Sequence, residues 1–96
     1  MAEKYLLEDK VAIVTGAGAG IGYAVASEFA REGAKVVIGE LRSDRGAEAA
    51  KKISKEMSSE VIDVATDVRK EKDVINLVNQ AVAKFGRGDV LVNNAA

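Results

Sequence analysis

The residues of this chain best suited to chemistry lie in one short run, Thr15-Gly16-Ala17-Gly18-Ala19-Gly20-Ile21-Gly22. Glycines at alternate positions let a ligand approach the backbone with no side chain in the way. Val11 to Val14, just before them, are all apolar and read as a buried strand. A helical pattern begins at Ile21. A turn between strand and helix can offer N–H groups and the positive end of a helix dipole to a pyrophosphate. Such glycines alone can equally serve a tight backbone turn. An acidic residue favours the ligand reading. Glu40 closes the next strand eighteen positions after Gly22. That is near the spacing of about 20 at which a carboxylate accepts from ribose hydroxyls. The competing reading of Glu40 is an exposed strand-end charge.

Composition removes several other chemistries. The chain has no histidine and no cysteine, so a His general base, His-ligated zinc, a thiolate metal site and a disulfide framework are excluded within it. Basic and acidic residues number 14 and 15 and are interspersed, which gives no electrostatic case for a nucleic-acid partner. No apolar run reaches the roughly 18 residues of a membrane span, and Met1 to Leu7 does not read as a signal peptide. A soluble, cytoplasmic protein is therefore expected. Its 96 residues suffice for one small domain.

The elements that must position these residues alternate regularly. A strand at Val11–Val14 leads through the glycine turn to a helix at about Gly20–Arg31, with Ile21, Val25 and Phe29 as its apolar stripe beside Ala24, Ala26 and Ala30. Leu6 and Leu7 are expected to dock near the first strand. Gly33 reads as a helix C-cap. A second strand spans Lys35–Glu40. The second helix starts near Ser43 as N-cap, with Ala47, Ala50, Ile53 and Met57 inward. A third strand covers Val61–Thr66. The third helix covers about Arg69–Phe85, with Val74, Leu77, Val78, Ala81 and Phe85 inward and Gly86 ending it. Arg69 and Lys70 at its start would oppose the helix dipole. A fourth strand covers Asp89–Asn93. Strands alternating with helices predict an α/β fold, an open parallel sheet joined by right-handed crossovers.

At this point a family pattern is recognisable. Thr15-Gly16-x-x-x-Gly20-x-Gly22, Asp67-Val68 after the third strand and Asn93-Asn94-Ala95-Ala96 after the fourth resemble the cofactor motifs of the short-chain dehydrogenase/reductase family. The resemblance runs from about Lys10 to Ala96. It implies a Rossmann-like sheet of strand order 3-2-1-4, the N-terminal half of a doubly wound fold, with residues 1–96 forming a single incomplete dinucleotide-binding domain. It also implies roles. Backbone groups of Gly16, Gly18, Ala19, Gly20 and Ile21 would cradle phosphates and ribose, and Gly22 would let the helix approach the sheet. Glu40 would hold the adenosine ribose. Asp67 would accept from the adenine amino group, although it could instead cap the third helix, and Val68 would flank the ring. Asn94 and Ala95 would line the cofactor, while Asn93 ties strand four to its neighbours.

A carboxylate at Glu40 would repel a 2′-phosphate, and the glycine turn carries no basic residue, so NAD is expected over NADP, with Arg42 as the complication. The resemblance further implies an oxidoreductase interconverting an alcohol and a ketone by hydride transfer, working as a homo-oligomer on a small-molecule substrate. Its proton-transferring tyrosine has a lysine four residues later. Here Tyr5 is followed at that distance by Asp9, and Tyr23 by Ser27. No catalytic residue is therefore assigned, and the family's catalytic set is expected beyond Ala96, leaving this chain inactive alone. Two other readings stay open: a non-catalytic or self-associating module without nucleotide binding, and a methyltransferase-like domain for S-adenosylmethionine, against which Asp67-Val68 and Asn93-Asn94-Ala95 argue.

Overall fold

Continuous apolar runs such as Val36-Val37-Ile38 must be covered on both faces, and the chain achieves this with helices on either side of one sheet. The computed structural model of the protein describes residues 6–94. Its elements are β1 (Val11–Thr15), α1 (Gly20–Arg31), β2 (Lys35–Glu40), α2 (Ser43–Met57), β3 (Val61–Ala65), α3 (Glu71–Phe85) and β4 (Val90–Asn93). The strands pair in parallel in the order β3-β2-β1-β4, as expected. Thr15 lies opposite Gly39 and Asn93, and Glu40 lies opposite Ala65. The carboxyl ends of all four strands therefore meet along one edge of the sheet, the edge where ligands bind in open α/β sheets.

Alternation along each strand divides the interior into two cores. Ala12, Val14, Val36 and Ile38 pack with Ala26 and Ala30 of α1 and with Ala49, Ala50 and Ile53 of α2. Val11, Ile13 and Val37 pack on the opposite side with Leu77 and Ala81 of α3.

The line by which α1 meets the sheet differs from the expected stripe. It is Gly22, Ala26 and Ala30, with Val25 and Phe29 half-buried beside it. Ile21 is 75% exposed, and Ala24 is also exposed. The smallest residues define the line of closest approach, because they allow the helix axis nearest the strands. On α2 the buried line is Gly46, Ala49, Ala50 and Ile53, and Ala47 faces solvent. Ser43 is the first helical residue of α2 and not its cap; Arg42 holds that place without a side-chain cap bond. α3 begins at Glu71, two residues later than expected, so Arg69 and Lys70 precede its first turn. That turn carries Glu71 and Asp73, which favour the dipole. Gly86 ends α3 with φ 82°, and Gly33 follows α1 with φ 97°. Leu7 packs against the core, whereas Leu6 is exposed.

Two buttresses hold β4 against β1. The Asp89 N–H donates to the Val11 carbonyl at 2.9 Å, and the Val11 N–H donates to Asp89 Oδ2 at 2.9 Å. Arg87 donates Nε and Nη2 to Asp89 Oδ1 at 3.0 and 2.8 Å. These donors hold the Asp89 carboxyl below its ordinary pKa, the Arg87 hydrogen bond foremost and the Val11 N–H next.

Candidate cofactor site

The glycine turn starts where β1 ends. Gly16 has φ 66° and Gly20 φ 64°, left-handed conformations that glycine adopts without a Cβ penalty. Between them the chain reverses into α1. The Gly16 N–H is satisfied by the Gly39 carbonyl of β2 at 2.9 Å. Gly22 answers a different demand. A Cβ there would lie 2.2 Å from the Gly16 carbonyl oxygen and 2.7 Å from Asn94 Nδ2. Only a bare backbone lets α1 begin so close to β1 and β4.

The opening of α1 is electrically uncompensated. Ala19 stands at the N-cap with no side-chain cap bond, and the first turn carries no acidic residue. The N–H groups of Gly20, Ile21 and Gly22 therefore lack the side-chain acceptor that usually quiets a helix start. An anion placed there gains both the donors and the positive end of the dipole.

Glu40 reaches this turn from the neighbouring strand. Its Oε1 accepts from the Gly18 N–H at 3.0 Å and its Oε2 from the Arg42 N–H at 3.2 Å. A carboxylate has about four lone-pair sites, so each oxygen keeps a place for one more donor. Beside Glu40 a crevice of about 370 Å³ is lined by Gly16, Gly39, Leu41, Thr66, Asp67, Val68 and Arg69. A second cavity of about 380 Å³ lies between α1 and α2, lined by Gly18, Ala19, Gly20, Tyr23, Arg45 and Lys52 among others. Of the sequence-predicted positions, Gly18, Ala19 and Gly20 line the second cavity, and Gly16, Glu40, Asp67 and Val68 line the first, with the Gly18 N–H to Glu40 bond between them.

Asp67 is nearly buried and heavily engaged. Oδ1 accepts from the Arg69 N–H at 3.0 Å and from Arg69 Nε at 2.9 Å, while Oδ2 accepts from Arg69 Nη2 at 2.9 Å. These bonds lower its pKa to about 2. Asp67 does not cap α3. Instead the Asp73 carboxylate, from the first turn of that helix, accepts from the Asp67 N–H at 2.9 Å. Arg69 had no place in the sequence reading of the site. An arginine two residues past the aspartate is the available signal, but only the loop's path brings the pair together.

Thr15 ties the end of β4 to this edge. Its Oγ1 lies 3.0 Å from Asn93 Oδ1, to which it can donate, and accepts from the Asn94 N–H at 3.0 Å. Asn93 therefore anchors β4, as expected of it, and Asn94 is left with its amide against the start of α1. Ile21 presents a bare apolar side chain beside the helix opening. Ala95 and Tyr5 lie outside the described residues. Among the described residues, the buried Tyr23 hydroxyl meets no hydrogen-bond partner, and neither does that of Ser27 one turn on.

Residues 10–96 match the family described as short chain dehydrogenase. The chain belongs to that family. Among curated relatives, the chain is 48% identical over 91 residues to an uncharacterised oxidoreductase of Thermotoga maritima, covering 95% of this chain and 35% of the relative. The solved L-sorbose reductase from Gluconobacter frateurii, complexed with NADPH and L-sorbose, superposes with a TM-score of 0.91 at 38% identity, over 98% of this chain and 36% of that one. NAD+-bound xylitol dehydrogenase superposes with a TM-score of 0.89 at 34% identity, over 95% and 35% of the two chains. The chain spans about a third of the length of the curated relatives it matches. No helix among its described residues is long and apolar enough to cross a membrane.

Proposed function

We propose that this chain holds the adenosine and phosphate portion of a nicotinamide dinucleotide within an oxidoreductase that interconverts an alcohol and a ketone. The observation that carries the reading is the meeting of three features on one sheet edge. They are the uncapped opening of α1, the Glu40 carboxylate with an acceptor site left on each oxygen, and the Asp67–Val68 crevice. The α1 amides would take the phosphates, Glu40 the vicinal hydroxyls of the ribose, and Asp67 and Val68 the base. Asn94, Ala95 and the backbone at Ile21 would line the remainder. Membership of the family and the cofactors named for the sorbose and xylitol enzymes support this use of the site.

The bound dinucleotide would take up the hydride of the alcohol in its oxidised form or give it to the ketone in its reduced form; this chain's residues would bind and orient it. No Tyr-x-x-x-Lys pair occurs in the sequence. We assign the proton-transferring groups, the substrate pocket and any oligomer contacts to the whole protein rather than to these residues, and propose for it a soluble, cytoplasmic setting and a small-molecule substrate. Glu40 makes NAD the preferred cofactor, because its charge would oppose a 2′-phosphate.

Calorimetric titration tests this. NAD+ should bind saturably and more tightly than NADP+, and Gly20→Val and Glu40→Ala should each weaken NAD+ by about tenfold or more. A folded chain that binds neither dinucleotide, or that prefers S-adenosylmethionine, would overturn the assignment.

A further inference from the structure

Gly18 is a glycine for a reason that its own backbone does not supply. The left-handed φ values of the chain's glycines fall at Gly16, Gly20, Gly33 and Gly86, and Gly18 is not among them. A side chain at position 18 is therefore compatible with the path of the turn. What a side chain would meet is Glu40. A Cβ at 18 would stand 2.4 Å from Glu40 Oε1 and 3.0 Å from its Cδ, with Arg45 Cβ next at 3.1 Å. The nearest of these atoms is the free end of a flexible side chain. The turn would keep its course and the carboxylate would swing aside, breaking its bond from the Gly18 N–H.

We propose that Gly18 is a specificity-determining position that acts through Glu40: its missing side chain is the space in which the carboxylate sits to receive a ribose diol. The inference rests on the cofactor reading above and adds a coupling to it. Two backbone amides, from Gly18 and Arg42, fix the carboxylate from opposite ends. The lone pairs they leave free then face the crevice as a preset pair, matched in number to two adjacent hydroxyls. A Cβ at 18 would displace Glu40 Oε1 and with it one of the two amide anchors. It also removes the negative charge from the place where a 2′-phosphate would have to sit. Position 18 thereby governs both the affinity for a free 2′-hydroxyl and the rejection of a phosphorylated one, without itself touching the sugar through a side chain.

A double-mutant cycle tests the coupling. Gly18→Ala, Glu40→Ala and the double variant are titrated with NAD+ and with NADP+, and their melting temperatures are recorded without ligand. Gly18→Ala should weaken NAD+ by about the same factor as Glu40→Ala, roughly tenfold or more. The double variant should bind no worse than Glu40→Ala alone. Gly18→Ala should narrow the preference for NAD+ over NADP+ and should keep a melting temperature close to that of the parent. Factors that multiply in the double variant, or a Gly18→Ala variant with unchanged NAD+ affinity, would overturn the proposal. If the parent chain binds neither dinucleotide, the cofactor reading fails first, and the latch formed by the Gly18 N–H on the Glu40 carboxylate is then judged on the free protein by NMR. There the Gly18 amide proton should move upfield and exchange faster with water in Glu40→Ala. An unmoved Gly18 amide would overturn the latch itself.

Discussion

Asp67 keeps its charge beneath the Arg69 guanidinium, and this has a consequence in acid. Its carboxyl is held at about 2 against an ordinary 3.8, chiefly by the Arg69 side-chain bonds and then by the Arg69 N–H. A depressed folded-state pKa stabilises the native chain in full above the unfolded value, and the stabilisation disappears as pH falls through the folded value. The loss attributable to Asp67 should therefore fall between about pH 4 and pH 2. Melting curves recorded across that range should be steeper in pH for the parent than for Arg69→Ala or Asp67→Asn. Identical slopes would mean that the pair does not survive in solution. The same residues mark how far single positions could be read from sequence. Glu40 could be singled out because it closes a strand, whereas Asp67, two residues past β3, was marked only by its resemblance to the family motif. The Arg69 clasp and the Asn94 contact with Gly22 were not legible, because one depends on a loop's path and the other on two distant segments meeting.

Element boundaries follow from the same physics, and so do the errors. Among the described residues, the three helices and four strands stand within about two residues of where apolar periodicity and glycine stops placed them. The face of α1 was misjudged because apolar size was read as depth. Gly22, Ala26 and Ala30 lie deepest since a small residue costs the helix least distance from the sheet, and Ile21 is pushed outward at the carboxyl edge of the sheet. The start of α3 was placed too early because the Val74-to-Phe85 period does not mark its first turn, whose acidic residues Glu71 and Asp73 do. The α1 contact is testable. Gly22→Ala puts a methyl group 2.2 Å from a backbone oxygen that cannot turn aside. It should destabilise the chain by about 1–3 kcal/mol through overpacking, read by urea denaturation. Ala24→Ser, on the exposed side of the same helix, should change stability by less than about 0.5 kcal/mol. Equal effects at the two positions would remove the close approach from the account.

At the scale of the whole molecule, the sheet has an open side. β4 pairs with β1 on one flank, and no other described strand lies on its far flank. Leu91 is 53% exposed there, on a strand without charges, and Ile75 and Val82 of α3 are likewise exposed. Even a four-residue edge of this kind, apolar and without charges, can pair with a further strand. The relatives run to about three times this chain's length, and in the chain by itself the edge is predicted to associate with other copies. Sedimentation velocity should show concentration-dependent self-association in the parent, reduced by Leu91→Lys, which places a charge on the edge. A parent that stays monomeric at high concentration would argue that the edge is already protected.

The central claim is that the first-helix amides and the strand-end carboxylates act on one ligand. NMR of the uniformly 15N-labelled chain during titration with NAD+ tests it most directly. Saturable shifts are expected at Gly16, Gly18, Gly20, Gly22, Glu40 and Val68, with Gly86 and Gly88 at the opposite end of the sheet unmoved. A folded chain whose shifts are absent, or gather around Gly86 and Gly88, would contradict it.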